Sequence, residues 1–139
     1  MGIIPAPLQR LVLQRAGGHC EYCGLAQEGQ EASFHTDHIV PRVSEGDTTL
    51  ENLALACVSC SLHKSARQRA PDPETGRDAT LFHPRRDRWA DHFRWEGVRI
   101  VGLTPTGRAT VEALRMNRLV ILAIREEESF RGRHPPPLD

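Results

Sequence analysis

The chain has little of what marks a protein that binds by bulk charge or crosses a membrane. Its 18 Lys and Arg are matched by 18 Asp and Glu. That balance argues against tight nonspecific attachment to nucleic acid, so any DNA or RNA contact has to come from local patches. No apolar run approaches the ~20 residues needed to span a bilayer. No apolar signal segment precedes Cys20, since Met1 to Pro7 is short and broken by proline. A reducing, cytoplasmic setting is the expectation. Lysine is almost missing: Lys64 is the only one among the basic residues. Such a bias reflects genome composition, which makes the surviving lysine a pointer to a role. A length of 139 residues suggests one domain with one modest core.

What is there is cysteine in a pattern. The 4 cysteines fall as two Cys-x-x-Cys pairs, Cys20/Cys23 and Cys57/Cys60. A Cys-x-x-Cys turn supplies two thiolates from one tight knuckle, so two such turns complete a closed tetrahedral zinc site. None is left over for a redox partner. Residues 24 to 56 lie between the pairs, a longer insert than the ~15–20 of a simple zinc ribbon. The metal therefore staples the ends of an inserted substructure. The alternative is two disulfides, which a reducing compartment disfavours.

Leu8, Leu11, Val12 and Arg15 fall at helical spacing between Pro5 and Ala16, and Gly17-Gly18 ends the run. The spacing predicts a helix delivering the chain into the first knuckle. Gly24 to Gln30 reads as a polar turn and Ala32 to Val40 as a strand broken at Pro41. Ser44 to Asp47 is a loop, Leu50, Leu53 and Leu55 form a short apolar stretch, and Ser61 to Arg69 reads as a helix stopped by Pro71.

Between the knuckles lies His35-Thr36-Asp37-His38. Phosphodiester hydrolysis needs a base for water and a cation for the charge growing on the phosphate. A histidine, with an unperturbed pKa of ~6.5, is a suitable base near neutrality. Neighbours on a regular strand point to opposite faces, so Asp37 and His38 reach one site only through a bend before Pro41. The ordered string of Cys20/Cys23, Asp37-His38-Ile39-Val40-Pro41, Glu51-Asn52-Leu53, Cys57-Val58-Ser59-Cys60 and Lys64 resembles the zinc-bearing, four-cysteine branch of the HNH endonucleases, over about residues 18 to 66. The resemblance implies an α+β protein with a ββα-metal core over 18–70, and DNA as partner. It implies His38 as general base, Asp37 as ligand of a catalytic Mg2+ or divalent transition-metal ion, and Asn52 tying the loop and orienting the histidine ring. It also implies nicking or cutting that leaves 5′-phosphate ends.

Many relatives of that branch carry asparagine or histidine just after the last cysteine as second metal ligand, and here stands Ser61, with His63 two residues on. Serine is a poor ligand for a hard cation without help from other oxygens. Two helical residues differ by ~200° in direction, so Ser61 is expected to face the ion and His63 to lie outside. Each residue also has a plainer reading. His38 is either the base or a satisfied core histidine, and Asn52 ties the catalytic loop or caps a turn. His35, on the strand face of Asp37, is an extra ligand or a packed residue. Lys64 and Arg42 are candidate nucleic-acid contacts, with Lys64 otherwise solvated on a helix face.

Past Pro71 the chain reads as a mixed hairpin and helical extension, residues 71–139, packed on the core within a single domain 1–139. Pro71 to Gly76 is a turn-rich connection. The aromatic and basic residues between Leu81 and Trp95 suit base stacking and phosphate binding. They equally suit Trp89 and Phe93 packed at i, i+4 with the arginines in water. Arg94 to Leu103 suggests a hairpin turning at Glu96-Gly97, Thr104-Pro105 opens a helix, and Asn117 caps another toward Phe130. Arg131 to Asp139, with its proline run, is expected to be loosely ordered. Two functions follow: a metal-dependent DNA endonuclease, or a noncatalytic zinc module that binds nucleic acid or protein, the second ligand having been lost at Ser61.

Overall fold

The computed structural model describes residues 4–137; Met1–Ile3 and the last two residues of the expected loose tail, Leu138 and Asp139, lie outside the described residues. Helix α1 (Ala6–Arg15) buries Val12 against Leu53 and Leu55. It ends where Gly17 and Gly18 take φ of 59° and 72°, a region open to glycine without steric penalty. Strand β1 (His35–His38) pairs antiparallel with β2 (Leu53–Ala56), His35 opposite Ala56 and His38 opposite Leu53. All of β2 is buried, as expected of a strand covered on both faces. Helix α2 (Val58–Lys64) follows, so the order is β, β, α.

Three sequence expectations are corrected here. The strand occupies only His35–His38 of the expected Ala32–Val40, and the Phe34 amide turns aside to the Gln27 side chain at 2.7 Å. The helix starts at Val58, inside the second knuckle, because the Cys57 sulfur accepts the Cys60 amide and caps it. It stops at Ser65, whose φ is 50°, well before Pro71. Of the two readings of Lys64, the solvated helix position does not hold, because the residue is 2% exposed.

Pro71 instead ends strand β3 (Arg69–Pro71), which pairs with β4 (Asp78–Thr80) around the Asp72–Gly76 turn. Asp72 is buried and receives a two-pronged bond from Arg108, at 3.0 and 2.8 Å, plus the Glu74 amide and the Thr75 hydroxyl. Arg108 above all holds this carboxyl well below the usual carboxylate range. Arg108 belongs to α4 (Pro105–Ala113), capped as expected by Thr104, whose hydroxyl accepts the Gly107 amide at 3.0 Å.

The aromatic cluster packs. Only a single turn, α3 (Trp89–His92), is helical, and Phe93 already belongs to β5 (Phe93–Glu96). The rings of Trp89 and Phe93 lie 5.0 Å apart and are 5% and 1% exposed, so neither is free to stack a base. Strand β6 (Arg99–Gly102) completes the hairpin at Gly97. Asn117 does not cap α5 (Leu119–Phe130); its side chain pairs with the amide and carbonyl of Ile100, at 2.8 Å each. The tail is docked over its described part. Arg133 forks onto Glu128, His134 sits edge-on to Trp95 and bonds the Gly97 carbonyl, and Pro136 is buried.

Two links join the extension to the first knuckle. The Trp89 indole donates to the Tyr22 carbonyl at 2.8 Å. Glu21 pairs with Arg85, and its other oxygen accepts the Leu55 amide of β2 at 2.8 Å. No helix among the described residues is long and apolar enough to cross a membrane.

Candidate metal centre and active site

The sulfurs of Cys20, Cys23, Cys57 and Cys60 lie within 4.8 Å of one another, all buried and all free thiols. Cys23 and Cys57 are 3.8 Å apart. A disulfide needs ~2.05 Å, whereas the edge of a tetrahedron with Zn–S of ~2.3 Å is about 3.8 Å. The two-disulfide alternative is therefore excluded and a structural zinc site remains. Each knuckle is tied by its own backbone: the Cys23 amide points to the Cys20 sulfur at 3.5 Å and the Cys60 amide to Cys57 at 3.4 Å. Gly24, at φ 81°, lets the first turn close. Hydrogen bonds from Cys20, Cys57 and Cys60 hold the Cys23 thiol well below its usual range.

Beside the zinc site, β1 and α2 face each other. The Ser61 hydroxyl donates to an Asp37 oxygen at 3.0 Å and contacts His35 Nδ1 at 2.9 Å. A hydroxyl has one proton, so with that proton on Asp37 the contact to His35 is an Nδ1–H donated to Ser61. His35, Asp37 and Ser61 thus form one group. His63 is turned away, its Nδ1 bonded to the carbonyl of Ser59 at 2.8 Å.

His38, the next residue of β1, bonds a different partner. Its Nε2 lies 2.9 Å from the Thr48 hydroxyl, which also accepts a bond from Arg42 at 2.7 Å. Burial first, and then the Arg42 charge, push the His38 pKa below the usual imidazole value, so the ring is neutral at pH 7. Asn52 clamps the intervening loop: its oxygen accepts the Val40 amide at 2.9 Å, and its nitrogen donates to the carbonyls of Val40 and Asp47 at 3.0 and 2.9 Å. It touches the backbone next to Thr48, and Thr48 touches the ring. Gly46 fits this loop because a Cβ there would come within 1.7 Å of the Val40 carbonyl oxygen.

Residues 20–67 match the family model of the HNH endonuclease. The match spans both knuckles and the β1–β2–α2 unit. This segment is an HNH endonuclease domain. No curated protein matches the chain.

Within the HNH domain, sequence reasoning missed Thr48, because a threonine in a polar loop carries no signal until the fold brings it to His38. It also missed Arg125. This arginine of α5 is 2% exposed, its Nη1 donates to the Val98 carbonyl at 2.9 Å, and its Nε and Nη2 are buried without a partner. It lines a narrow gap with Cys23. Burial pulls its pKa down and the charge of Cys23 and Cys60 pushes it back up. Four thiolates on one zinc leave two negative charges, and two guanidinium nitrogens without partners suit that excess. Arg125→Met is expected to weaken zinc retention ~10–100-fold, as loss of a group supporting metal ligands does. Competition with a chromogenic chelator measures this; unchanged retention would show that the guanidinium does not serve the metal.

Proposed function

We propose that the HNH domain hydrolyses DNA phosphodiester bonds with His38 as general base and with Asp37 and Ser61, aided by His35, as the seat of a catalytic divalent ion such as Mg2+ or a transition metal. A divalent ion bound there supplies charge stabilisation for the phosphate and leaving oxygen. The observation that carries the reading is the pairing on β1 of an Asp37–Ser61–His35 group with a His38 anchored through Thr48. In the tautomer that gives Nε2–H to Thr48, Nδ1 keeps the lone pair that takes a proton from water. Arg42 steadies Thr48 and stands exposed for a phosphate, while Asn52 positions the loop. The extension 71–139 packs on the 18–70 core as part of one domain, and a cytoplasmic setting keeps the thiols reduced. Nicking of supercoiled plasmid with and without added metal tests the function.

One observation favours the noncatalytic module as second reading. Among the described residues, the four cysteines are the group of three or more His, Cys, Asp or Glu able to hold an ion. The Asp37 group offers only two such residues plus a hydroxyl, so its metal affinity should be low. Ser61→Asn is accordingly expected to raise cleavage at limiting metal, and His63→Ala to change it little. A large loss in His63→Ala with zinc retained would make His63 the ligand instead.

A further inference from the structure

A cleft of ≈330 Å3 opens where the HNH domain meets the β3–β4 hairpin and the segment after it. It begins at Ile39 and Val40, directly after His38, and is lined by Lys64, Arg67, Arg69, His83 and Arg86. The whole chain is neutral, so this concentration of cations is local. Arg69 is paired with Asp78, and the one acid of the wall, Asp87, accepts the His83 amide at 2.9 Å. Among the described residues, Lys64, Arg67 and Arg86 have no carboxylate partner.

Lys64 is the sharpest case. Its side chain is buried, yet its ammonium meets a single acceptor, the His38 carbonyl, at 3.3 Å. The Asp37 charge offsets part of the cost of burial, but an ammonium with three donors and one long bond still gains from a further anion. His83 adds a directed donor. Its Nδ1 accepts the amides of Arg85 and Arg86, at 3.2 Å each, which fixes its proton on Nε2.

We propose that this cleft binds a phosphate of the nucleic-acid backbone distinct from the one cleaved at His38, through Lys64, Arg86, Arg67 and the Nε2–H of His83. The contact of Lys64 with the His38 carbonyl sets one wall of the cleft against the end of β1 that carries His38. The inference rests on the nuclease reading only in taking nucleic acid as the source of the phosphate.

The test uses the full zinc-loaded chain carrying His38→Ala, so that labelled duplex DNA is bound and not cut, with affinity followed by anisotropy from ~50 to ~200 mM salt. Adding Arg86→Ala is expected to weaken binding and to reduce the slope of log K against log salt by ~0.9, the value for one phosphate contact. Arg131→Ala, an arginine outside the cleft paired with Glu127, is expected to leave the slope as it was. DNA binding whose slope ignores Arg86→Ala overturns the cleft while sparing the nuclease reading. Inorganic phosphate that binds through Arg86, with the DNA slope unmoved, makes this a free-anion site and also overturns it. A slope that falls as expected, in a chain whose unmodified form nicks no plasmid, upholds the cleft and rejects the nuclease. Absence of any DNA binding rejects both.

Discussion

Cys57→Ser is expected to yield a chain without zinc and without a cooperative unfolding transition. The Cys57 sulfur belongs to the metal cluster and caps α2 through the Cys60 amide. Structural zinc contributes ~10–16 kcal/mol to folding in small domains, against a total stability of ~5–15 kcal/mol. Losing one of four ligands therefore removes most of what keeps the fold. The damage extends beyond the knuckles: α2 carries Ser61 to Asp37, and the first knuckle carries Tyr22 and Glu21, which hold Trp89 and Arg85 of the extension. Elemental analysis and circular dichroism on heating check this. A folded variant retaining one zinc would refute the stapling role.

The second large effect concerns chemistry alone. His38→Ala is expected to lower DNA cleavage by ~10²–10⁴-fold, the usual contribution of a positioned general base. Zinc content and DNA affinity should stay near those of the parent. The ring is half-buried and its one bond is to Thr48, on a loop that Asn52 holds independently, so removing it leaves the backbone in place. Steady-state nicking rates, with zinc measured on the same sample, separate this from unfolding. Cleavage at the parental rate would show that His38 is not the base.

Features set by short-range chemistry were legible in the sequence. Each knuckle, the Thr104 cap and the Gly97 turn are specified within a few residues, and the structure has each where the chain pattern put it. The position of Ser61 against Asp37, with His63 turned aside, follows from helical rotation alone. What escaped depends on partners far along the chain. Strands β3 and β4 are three residues each, too short for their alternation to stand out, and their turn is held by Arg108, 36 residues beyond Asp72. Pro71 was a stop signal for a helix that had already ended, and it is tolerated because a short two-stranded ribbon is all edge. The prolines suggest a loose tail, but over its described part Arg133 and His134 anchor it through Glu128 and Trp95. Arg125 sits two helical turns into an apolar stretch, and nothing local marks it as a neighbour of zinc.

The most direct test is nicking of supercoiled plasmid by the purified zinc-loaded chain, with magnesium, manganese or nickel added in separate reactions and a chelator arm as control. The account expects conversion to nicked or linear DNA that rises with the added ion, stops with chelator and leaves 5′-phosphate ends. Plasmid that the protein binds but leaves supercoiled with every ion, zinc intact, would contradict it and make this HNH domain a binding module.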